Sequence, residues 1–314
     1  MNKNPKKCLV TGGAGFIGSH LVDVLIDKGF EVCVIDNLSH GKKQRLHPKA
    51  IFYQADITDD VTEIFRKEKP QYVFHLAAQV QLRESIDNPL HDAKTNILGT
   101  INILETCRQT GVEKIIYTST GGARVGEPQY LPVDENHPIK PCSPYGISKH
   151  TAEHYVQMYG DLYDLDYLIF CFGNVYGPRD HPASKRVTAV FIQDILENKS
   201  PIIFGDGEQT RDFIYVLDLA RFIVQSMDKK PVQKLFHLAN GQEVSVNEIF
   251  QTLKEISGSS LEATHIAGVK GEVRNIILDI TQAKNQLGWE PKHTLKQGLT
   301  ETYQWFKNNP EEIN

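Results

Sequence analysis

The chain has 314 residues, of which 40% are hydrophobic and 23% are charged, a composition typical of soluble globular proteins. Its formal net charge of −5 gives no basic surface for nucleic acid or an anionic membrane. No apolar run approaches about 18 residues, so we expect no membrane span. The 5 cysteines lack a C-x-x-C spacing, which favours free thiols and a cytoplasmic location. The histidines lack H-x-x-x-H and H-E-x-x-H spacings, so we expect no metal site.

The first predicted strand runs directly into closely spaced glycines. The strand is predicted at 7–11 with an apolar centre at 8–10, glycines follow at Gly12, Gly15 and Gly18, and an amphipathic segment reaches Lys28. Such glycines let the chain turn sharply, approach a pyrophosphate closely and pack a helix against a strand. The helix start then offers N–H groups and the positive end of its dipole to phosphate. The pattern predicts a dinucleotide site.

The second predicted strand, 31–35, is followed directly by Asp36. A carboxylate at this place accepts hydrogen bonds from an adenosine ribose and repels a 2′-phosphate. We therefore predict NAD, rather than NADP, as the cofactor. An ordinary glycine-rich loop would leave Asp36 unexplained.

The first half of the chain repeats a strand, a turn and a helix. Further strands are predicted at 51–54, 71–76, 114–118 and 166–172. This alternation predicts an α/β fold with a doubly wound parallel sheet of Rossmann type and right-handed crossovers. After Phe172 the regularity declines, which indicates a second, smaller substrate-binding lobe. We expect an NAD-binding domain over 1–172 and a lobe over 173–314, with 213–240 rejoining the first domain.

Tyr145 and Lys149 lie four residues apart in a helical pattern, and therefore on one helix face. A tyrosine, with a pKa near about 10, is a poor base at neutral pH, but a nearby cation favours its phenolate. Thr120 or Ser119, at the carboxyl end of the fifth strand, would face the cofactor and share a proton with Tyr145. A purely structural surface pair is the alternative. The preceding nucleotide-binding pattern favours a catalytic set of Thr120, Tyr145 and Lys149.

In combination, motifs along the whole chain resemble the extended short-chain dehydrogenase/reductase superfamily. They are Thr11-Gly-Gly-Ala-Gly-Phe-Ile-Gly18, Leu76-Ala-Ala78, Thr118-Ser-Thr120, Tyr145-x-x-x-Lys149, Gly173-Asn-Val-Tyr-Gly-Pro-Arg179 and Arg211-Asp-Phe-Ile-Tyr-Val216. Within it the chain most resembles UDP-glucose 4-epimerase-like enzymes of the NAD-dependent epimerase/dehydratase family. The resemblance implies that bound NAD⁺ takes a hydride from sugar C4, that the 4-keto intermediate rotates, and that the hydride returns to the other face. UDP-glucose/UDP-galactose is the first substrate to expect and a UDP-N-acetylhexosamine the second.

The resemblance also assigns roles to individual residues. Tyr145 is the acid/base, Lys149 is its electrostatic partner, and Thr120 takes the serine/threonine position. The implied cofactor-binding residues are Gly12, Gly15, Phe16, Ile17, Gly18, Asp36, Asn37, Asp56, Ile57, Leu76, Ala77, Ala78, Asn96, Tyr145 and Lys149. The resemblance further implies a homodimer, in which the helix with Tyr155, Tyr159 and Tyr163 contributes to the subunit face. The same tyrosine spacing also suits core packing.

Four residues are expected to bind the substrate: Asn174, Arg211, Glu272 and Ile276. By resemblance, Asn174 contacts the nucleotide sugar and Arg211 pairs with its diphosphate, for which a fork of donors is suited. Glu272 either holds the nucleotide ribose or is an ordinary solvated carboxylate. Ile276 either gates the sugar 2-position, where a residue smaller than tyrosine admits an acetamido group, or is a plain strand residue.

Two other functions stay open: an NAD-dependent nucleotide-sugar reductase or dehydratase, and a non-catalytic NAD-binding regulator. Dehydratases carry an acid after the hydroxyl residue, whereas Gly121-Gly122 follows Thr120 here. Asp36 argues against a reductase that uses NADPH. The intact catalytic set argues against a regulator.

Three departures from the epimerase pattern lie near the predicted sugar site. Arg124 and Val125 replace an aliphatic residue and a tyrosine, which predicts an altered rim around the sugar. Val269 stands where epimerases often carry a diphosphate-binding arginine, and two alternatives stay open: the adjacent Lys270 substitutes for it, or it does not.

His75, at the end of a strand, is expected to be a structural core residue.

Overall fold

The structure is a computed structural model that describes residues 6–268 and 273–313. The strands are β1 (Lys7–Thr11), β2 (Glu31–Asp36), β3 (Ile51–Gln54), β4 (Tyr72–His75), β5 (Lys114–Thr120), β6 (Asp166–Phe172), β7 (Asn174–Tyr176), β8 (Ile202–Phe204), β9 (Thr210–Arg211), β10 (Phe213–Tyr215), β11 (Leu235–Leu238), β12 (Val244–Ser245) and β13 (Thr264–Ile266). The α-helices are α1 (Phe16–Asp27), α2 (Thr62–Glu68), α3 (Leu82–Asp87), α4 (Pro89–Ala93), α5 (Gly99–Thr110), α6 (Gly122–Val125), α7 (Pro144–Tyr163), α8 (Val187–Leu196), α9 (Val216–Ser226), α10 (Val246–Ser257) and α11 (Leu295–Asn308).

A seven-stranded sheet with strand order β11-β6-β5-β4-β1-β2-β3 forms the centre of the α/β fold. The neighbouring pairs from β3 through β2, β1 and β4 to β5 run parallel. The predicted doubly wound sheet of Rossmann type is confirmed. The strand order reverses between β1 and β4, and ligands bind such sheets at the carboxyl ends of the strands beside this switch point.

The chain divides into two compact units that alternate along the sequence. The first comprises the residues up to Gly126, Pro138–Cys171 and Ala220–Phe236. The second comprises Glu127–His137, Phe172–Leu219 and the residues from His237 onward. Segment 213–240, which we expected to rejoin the first domain, contributes 220–236 to the first unit and its remaining residues to the second.

Each unit has its own hydrophobic core. In the first unit the inner strands are buried along almost their whole length, as parallel strands covered on both faces are. Its cluster includes Leu9, Phe65 and Ile115. The core of the second unit gathers aromatic residues such as Phe191, Tyr215 and Phe306. Within residues 6–268 and 273–313, no helix combines the length and apolar character needed to cross a bilayer.

Helix α7 begins with strong local signals. The Ser143 side chain accepts a hydrogen bond from the Gly146 N–H at 3.1 Å, and Pro144 occupies the first turn. A Cβ atom at Gly146 would lie 2.2 Å from the backbone oxygen of Ala123, so the start of α7 packs tightly against α6. This contact holds Tyr145 beside the segment that follows β5.

Candidate active site

The turn between β1 and α1 is built around glycines that leave no room for side chains. A Cβ atom at Gly12, where φ is +71°, would lie 2.7 Å from the backbone nitrogen of Ala77. One at Gly18 would lie 2.1 Å from the Gly12 oxygen. Helix α1 starts at Phe16, with Ile17 next, after Gly15, which offers no side-chain cap. Since a helix N-terminus attracts anions, this turn fits a pyrophosphate.

Asp36 is the last residue of β2 and lies directly beside the glycine turn. One of its carboxylate oxygens accepts a hydrogen bond from the Ala14 N–H at 2.9 Å, and the other accepts from the Leu38 N–H at 2.8 Å. Burial raises the pKa of Asp36, whereas these two backbone bonds favour the charged form. Each oxygen keeps a further lone pair for a ribose hydroxyl.

Asn37 and Asp56 lie together beyond the ends of β2 and β3. The Asn37 side-chain amide donates to Asp56 at 2.8 Å, and Asp56 also accepts from the Thr58 N–H at 2.8 Å. The neighbouring Ile57 side chain is buried. Four residues are expected around the adenosine: Asp36, Asn37, Asp56 and Ile57. They all lie at or just beyond the ends of the neighbouring strands β2 and β3.

The half-buried segment Leu76, Ala77 and Ala78 follows β4 at the switch point. The Leu76 N–H donates to the Thr11 oxygen at 3.1 Å, and the Ala77 N–H donates to the Thr11 hydroxyl at 3.2 Å. These bonds tie the segment to the end of β1. The residues expected to line the dinucleotide therefore lie directly beside the glycine turn.

His75 is enclosed within the first unit. Its Nδ1 lies 2.7 Å from the Thr11 hydroxyl and its Nε2 lies 3.0 Å from the Thr100 hydroxyl. Burial, with the nearby charge of Lys149, lowers the pKa of His75 to about 3. A neutral imidazole bonded on both sides fits the expected structural role better than that of a base.

Asn96 lies in a π-helical turn, Lys94–Leu98, between α4 and α5. Its side-chain nitrogen lies within hydrogen-bond distance of three acceptors: the Gln79 backbone oxygen at 2.9 Å, Asp92 at 3.1 Å and the Ser148 hydroxyl at 3.1 Å. The residue is 1% exposed. Asn96 therefore fastens the segment after β4 to helix α7, one residue before Lys149.

Two of the predicted catalytic residues lie on α7 and the third ends β5. The Thr120 hydroxyl accepts from the Ala123 N–H at 3.3 Å. Lys149 is 4% exposed, and its Nζ lies 4.3 Å from the centre of the Tyr117 ring. Burial lowers the pKa of Lys149 to about 8, although neighbouring acidic groups oppose this shift. A buried ammonium one helical turn from Tyr145 can stabilise a phenolate there.

A cluster of charged side chains surrounds Glu153, which follows Lys149 on α7. Glu153, one turn after Lys149, is 1% exposed and accepts from the Ser119 hydroxyl. Its other oxygen lies 3.0 Å from Nδ1 of His150 and 3.6 Å from Nε of Arg124. Sequence reasoning missed Glu153, although its i, i+4 spacing from Lys149 placed it on the same helix face.

The structure buries Arg124 and Val125, and their expected effect on the rim of the sugar site stays a prediction. Arg124 is 4% exposed and Val125 is 1% exposed, so both side chains point into the first unit. A guanidinium enters this interior because it finds a buried carboxylate, that of Glu153, as its partner. Val269 lies outside the described residues.

The expected substrate residues in the described part of the second unit lie close to one another along the backbone. The Asn174 N–H donates to the Asp212 oxygen at 2.6 Å, next to Arg211. The Ile276 N–H donates to the Thr210 oxygen at 3.3 Å, and the Ile276 side chain is 5% exposed. Both interpretations of Ile276 stay predictions. Glu272 lies outside the described residues.

Asp212 organises this region and was missed from the sequence. It is fully buried and accepts from the backbone N–H groups of Asn240 at 2.7 Å, Gly241 at 3.0 Å and Leu278 at 3.2 Å. Burial raises the pKa of Asp212 to about 6, against the effect of these bonds. Asp212 thereby joins the segment of Arg211 to the segment that follows Ile276.

The chain matches a family model over residues 8–239, that of the NAD dependent epimerase/dehydratase family. The chain belongs to this family. A putative UDP-glucose 4-epimerase of Methanocaldococcus jannaschii is 48% identical over 303 residues, which are 96% of this chain and 98% of that protein.

Two solved structures share the fold over nearly the whole length. The UDP-glucose 4-epimerase of Thermotoga maritima with UDP-glucose aligns with a TM-score of 0.94 and 43% identity, covering 97% of this chain and 99% of that one. The UDP-glucose 4-epimerase of Thermus thermophilus in complex with NAD aligns with a TM-score of 0.90 and 35% identity, covering 96% and 99%. The resemblance inferred from the motifs is confirmed.

The cofactor expected from family membership is NAD, and the first unit of this family member fits it. Backbone atoms of Ala77 and Gly12 occupy the space that a Cβ atom would need at Gly12 and at Gly18. Asp36 presents a carboxylate at the end of β2, where an adenosine ribose is bound in this sheet type. The anionic side chain at that place suits a ribose without a 2′-phosphate.

Proposed function

We propose that this chain interconverts UDP-glucose and UDP-galactose by NAD-dependent epimerisation at C4, through a transient 4-keto intermediate. The observation that carries this proposal is the buried Lys149, set one helical turn from Tyr145 beside the dinucleotide crevice. Relatives with similarity along almost the entire chain bear the name UDP-glucose 4-epimerase, which supports the same activity.

Tyr145 is proposed to move the proton of the sugar 4-hydroxyl. The Lys149 ammonium favours the phenolate, which accepts that proton, and the same tyrosine returns it when the hydroxyl re-forms. The Thr120 hydroxyl, at the end of β5, orients the 4-oxygen by a hydrogen bond. Bound NAD⁺ would supply the acceptor and donor of the hydride. The residues after Thr120 are Gly121 and Gly122, which supply no acid for elimination of water.

The cofactor would be held along the strand ends of the first unit. Gly12, Gly15 and Gly18, with Phe16 and Ile17, are proposed to hold the pyrophosphate, and Lys149 also reaches the nicotinamide ribose. The remaining proposed contacts are Asp36, Asn37, Asp56 and Ile57 at the adenosine, and Leu76, Ala77, Ala78 and Asn96 along the dinucleotide. For the substrate, Asn174, Arg211, Glu272 and Ile276 stay the proposed residues.

The test of this function is incubation of the purified protein with a panel of UDP-, GDP-, dTDP- and CDP-sugars, followed by chromatography. We expect conversion of UDP-glucose to UDP-galactose, without stoichiometric formation of NADH. The panel includes UDP-N-acetylglucosamine, whose conversion the gate interpretation of Ile276 predicts. A 4-keto-6-deoxy sugar or net NADH would instead identify a dehydratase or a reductase. Absence of turnover on every sugar, with NAD bound, would support the regulator.

Asp36 is expected to enforce the choice of NAD, because its carboxylate repels a 2′-phosphate. Replacing Asp36 by Asn keeps the acceptor oxygen for a backbone N–H but removes the charge. We expect the wild type to bind NAD at least about tenfold more tightly than NADP, a difference of about 1.4 kcal/mol, and D36N to lose most of this preference. Calorimetric titration with both nucleotides measures it. Equal affinities of the wild type would contradict this role.

We also propose that the protein forms a homodimer through the helices around α7. Large apolar side chains stay exposed there, at Leu90, Leu98 and Leu162, with exposed fractions of 82%, 60% and 65%. Such side chains on neighbouring helices are typical of a subunit face. Light scattering of the wild type should give twice the chain mass of 35.5 kDa, and L98E/L162E should give a monomer. A monomeric wild type at micromolar concentration would contradict the proposal.

A further inference from the structure

The first unit contains a buried ion pair that the proposed chemistry does not use. Arg124 and Glu153 are 4% and 1% exposed, and Nε of Arg124 lies 3.6 Å from a carboxylate oxygen of Glu153. Nη1 of Arg124 also donates to Sγ of Cys171 at 3.2 Å. Burying two charges is costly in free energy, so the pair need not stabilise the folded protein. We therefore looked for its role in the function.

The pair contacts both segments that carry the catalytic residues. Glu153 lies one turn after Lys149 on α7 and accepts from the Ser119 hydroxyl, next to Thr120. Arg124 lies in α6, and the preceding Ala123 packs its backbone oxygen against Gly146. A change in the charge of either partner therefore acts on the end of β5 and on the start of α7.

We propose that Arg124 and Glu153 are positioning residues that set the charge environment of Tyr145 and Lys149, an inference that rests on the proposed function. The Glu153 carboxylate attracts the Lys149 ammonium from one helical turn further along α7, on the side opposite to Tyr145. Arg124 compensates the Glu153 carboxylate, which keeps the positive charge of Lys149 available to a phenolate at Tyr145. The pair thus tunes the pH range in which the phenolate and the ammonium coexist.

Other titratable groups surround Lys149 and Glu153, and they are unchanged in the Arg124 and Glu153 variants proposed below. Asp92 on α4, Cys171 on β6, His75 on β4 and Tyr117 on β5 surround the Lys149 side chain, and His150 contacts Glu153. Burial opposes the charge of Glu153. The His150 contact, the Arg124 charge and the Ser119 bond nevertheless hold the pKa of this carboxyl below its ordinary value. Glu153 is therefore ionised at neutral pH, and Arg124 is its permanent cation.

A purely structural role predicts something different. If the pair only filled space, removing a charge would lower the amount of folded protein or the maximal rate, with the shape of the pH profile unchanged. An electrostatic role moves the profile, and it does so in opposite directions for the two partners. Loss of the Arg124 cation disfavours the phenolate and favours the ammonium, whereas loss of the Glu153 anion does the reverse.

The experiment compares the pH dependence of kcat for UDP-glucose among the wild type, R124M, E153Q, R124M/E153Q and R124K, each loaded with NAD. We expect the profile of R124M to move by about one pH unit to higher pH and that of E153Q by about one unit to lower pH. R124M/E153Q removes both charges of the pair, so their opposite effects cancel and the profile should return within about 0.3 unit of the wild type, while R124K should restore most of the R124M shift. Circular dichroism checks that each variant is folded.

Three outcomes would overturn the proposal. They are unshifted profiles in folded R124M and E153Q, shifts of both in the same direction, and a double variant that keeps the shift of one parent. If neither single variant folds, the double variant and R124K decide: a profile moved by a full unit in either would contradict charge compensation. Wild-type turnover of UDP-glucose is measured first, so failure of the proposed function is recognised separately.

Discussion

Replacing Tyr145 by Phe is expected to remove most of the epimerase activity while the fold stays intact. The change deletes one hydroxyl from the first turn of α7 and leaves Ser143 and Pro144, which start the helix, untouched. Without the phenolate, the proposed site lacks the group that accepts the 4-hydroxyl proton. General acid–base catalysis is typically worth about 10²–10⁴-fold, so kcat should fall by that factor. Initial rates of UDP-galactose formation measure it.

Tyr155→Phe is the matched control for this variant. Tyr155 lies on the same helix and packs against the first unit's core, so the substitution removes the same hydroxyl away from the proposed site. Its rate should stay within about twofold of the wild type, because surface or partly buried hydroxyls contribute little to the fold. A Y145F rate equal to that of Y155F, with unchanged circular dichroism, would refute the assignment of Tyr145.

The part of the site built from local sequence signals was predictable. Glycines at fixed spacing, a strand followed by an acid, and a tyrosine with lysine one turn later each depend on a few consecutive residues. The structure extends two strands past their predicted ends, so Asp36 and Thr120 are the last residues of β2 and β5. The apolar pattern stops before such polar residues, although strand pairing continues to them. Both predicted site residues therefore lie at the carboxyl ends of their strands.

The buried polar contacts behind the site could not be predicted from such signals. Arg124 and Glu153 are far apart in the sequence, and charged residues are rarely fully buried, so no local pattern indicates that these two side chains meet in the interior. Asp212 accepts backbone N–H groups from two distant segments, and no local pattern indicates that arrangement. The π-helical turn that carries Asn96 departs from helical periodicity. Each of these features depends on tertiary packing.

The division into units also depends on contacts of long sequence separation. The predicted boundary at 172 followed the decline of the strand–helix alternation, and the first unit indeed has Cys171 as the last residue of its second segment. Segment 127–137 belongs to the second unit although it lies between elements of the first. Its backbone pairs Val133 with Leu278, and the Val133 N–H donates to the Ile277 oxygen at 2.9 Å. The sequence shows no repeat or change of composition that marks segment 127–137 as part of another unit.

Replacing Gly18 by Ala is expected to lower the affinity for NAD by at least about 100-fold, or about 2.7 kcal/mol. On an unconstrained helix this change would stabilise the protein by about 1 kcal/mol, because alanine has the higher helix propensity. Here the new Cβ would lie 2.1 Å from the Gly12 oxygen and 2.9 Å from the Gly13 Cα. Both are backbone atoms, so the glycine turn must open. The pyrophosphate then loses the close approach that the turn provides.

Gly29→Ala is the matched control, at the other end of α1. Gly29 has φ of +86° and open space around its Cα, so alanine strains the backbone there without approaching the cofactor crevice. We expect G29A to lower the free energy of unfolding by about 1 kcal/mol and to bind NAD like the wild type. Calorimetric titration of the cofactor-free proteins, with thermal unfolding in parallel, separates the two effects. Binding of NAD by G18A within about threefold of the wild type would show that the turn does not hold the pyrophosphate, since a Cβ cannot be accommodated there with the turn unchanged.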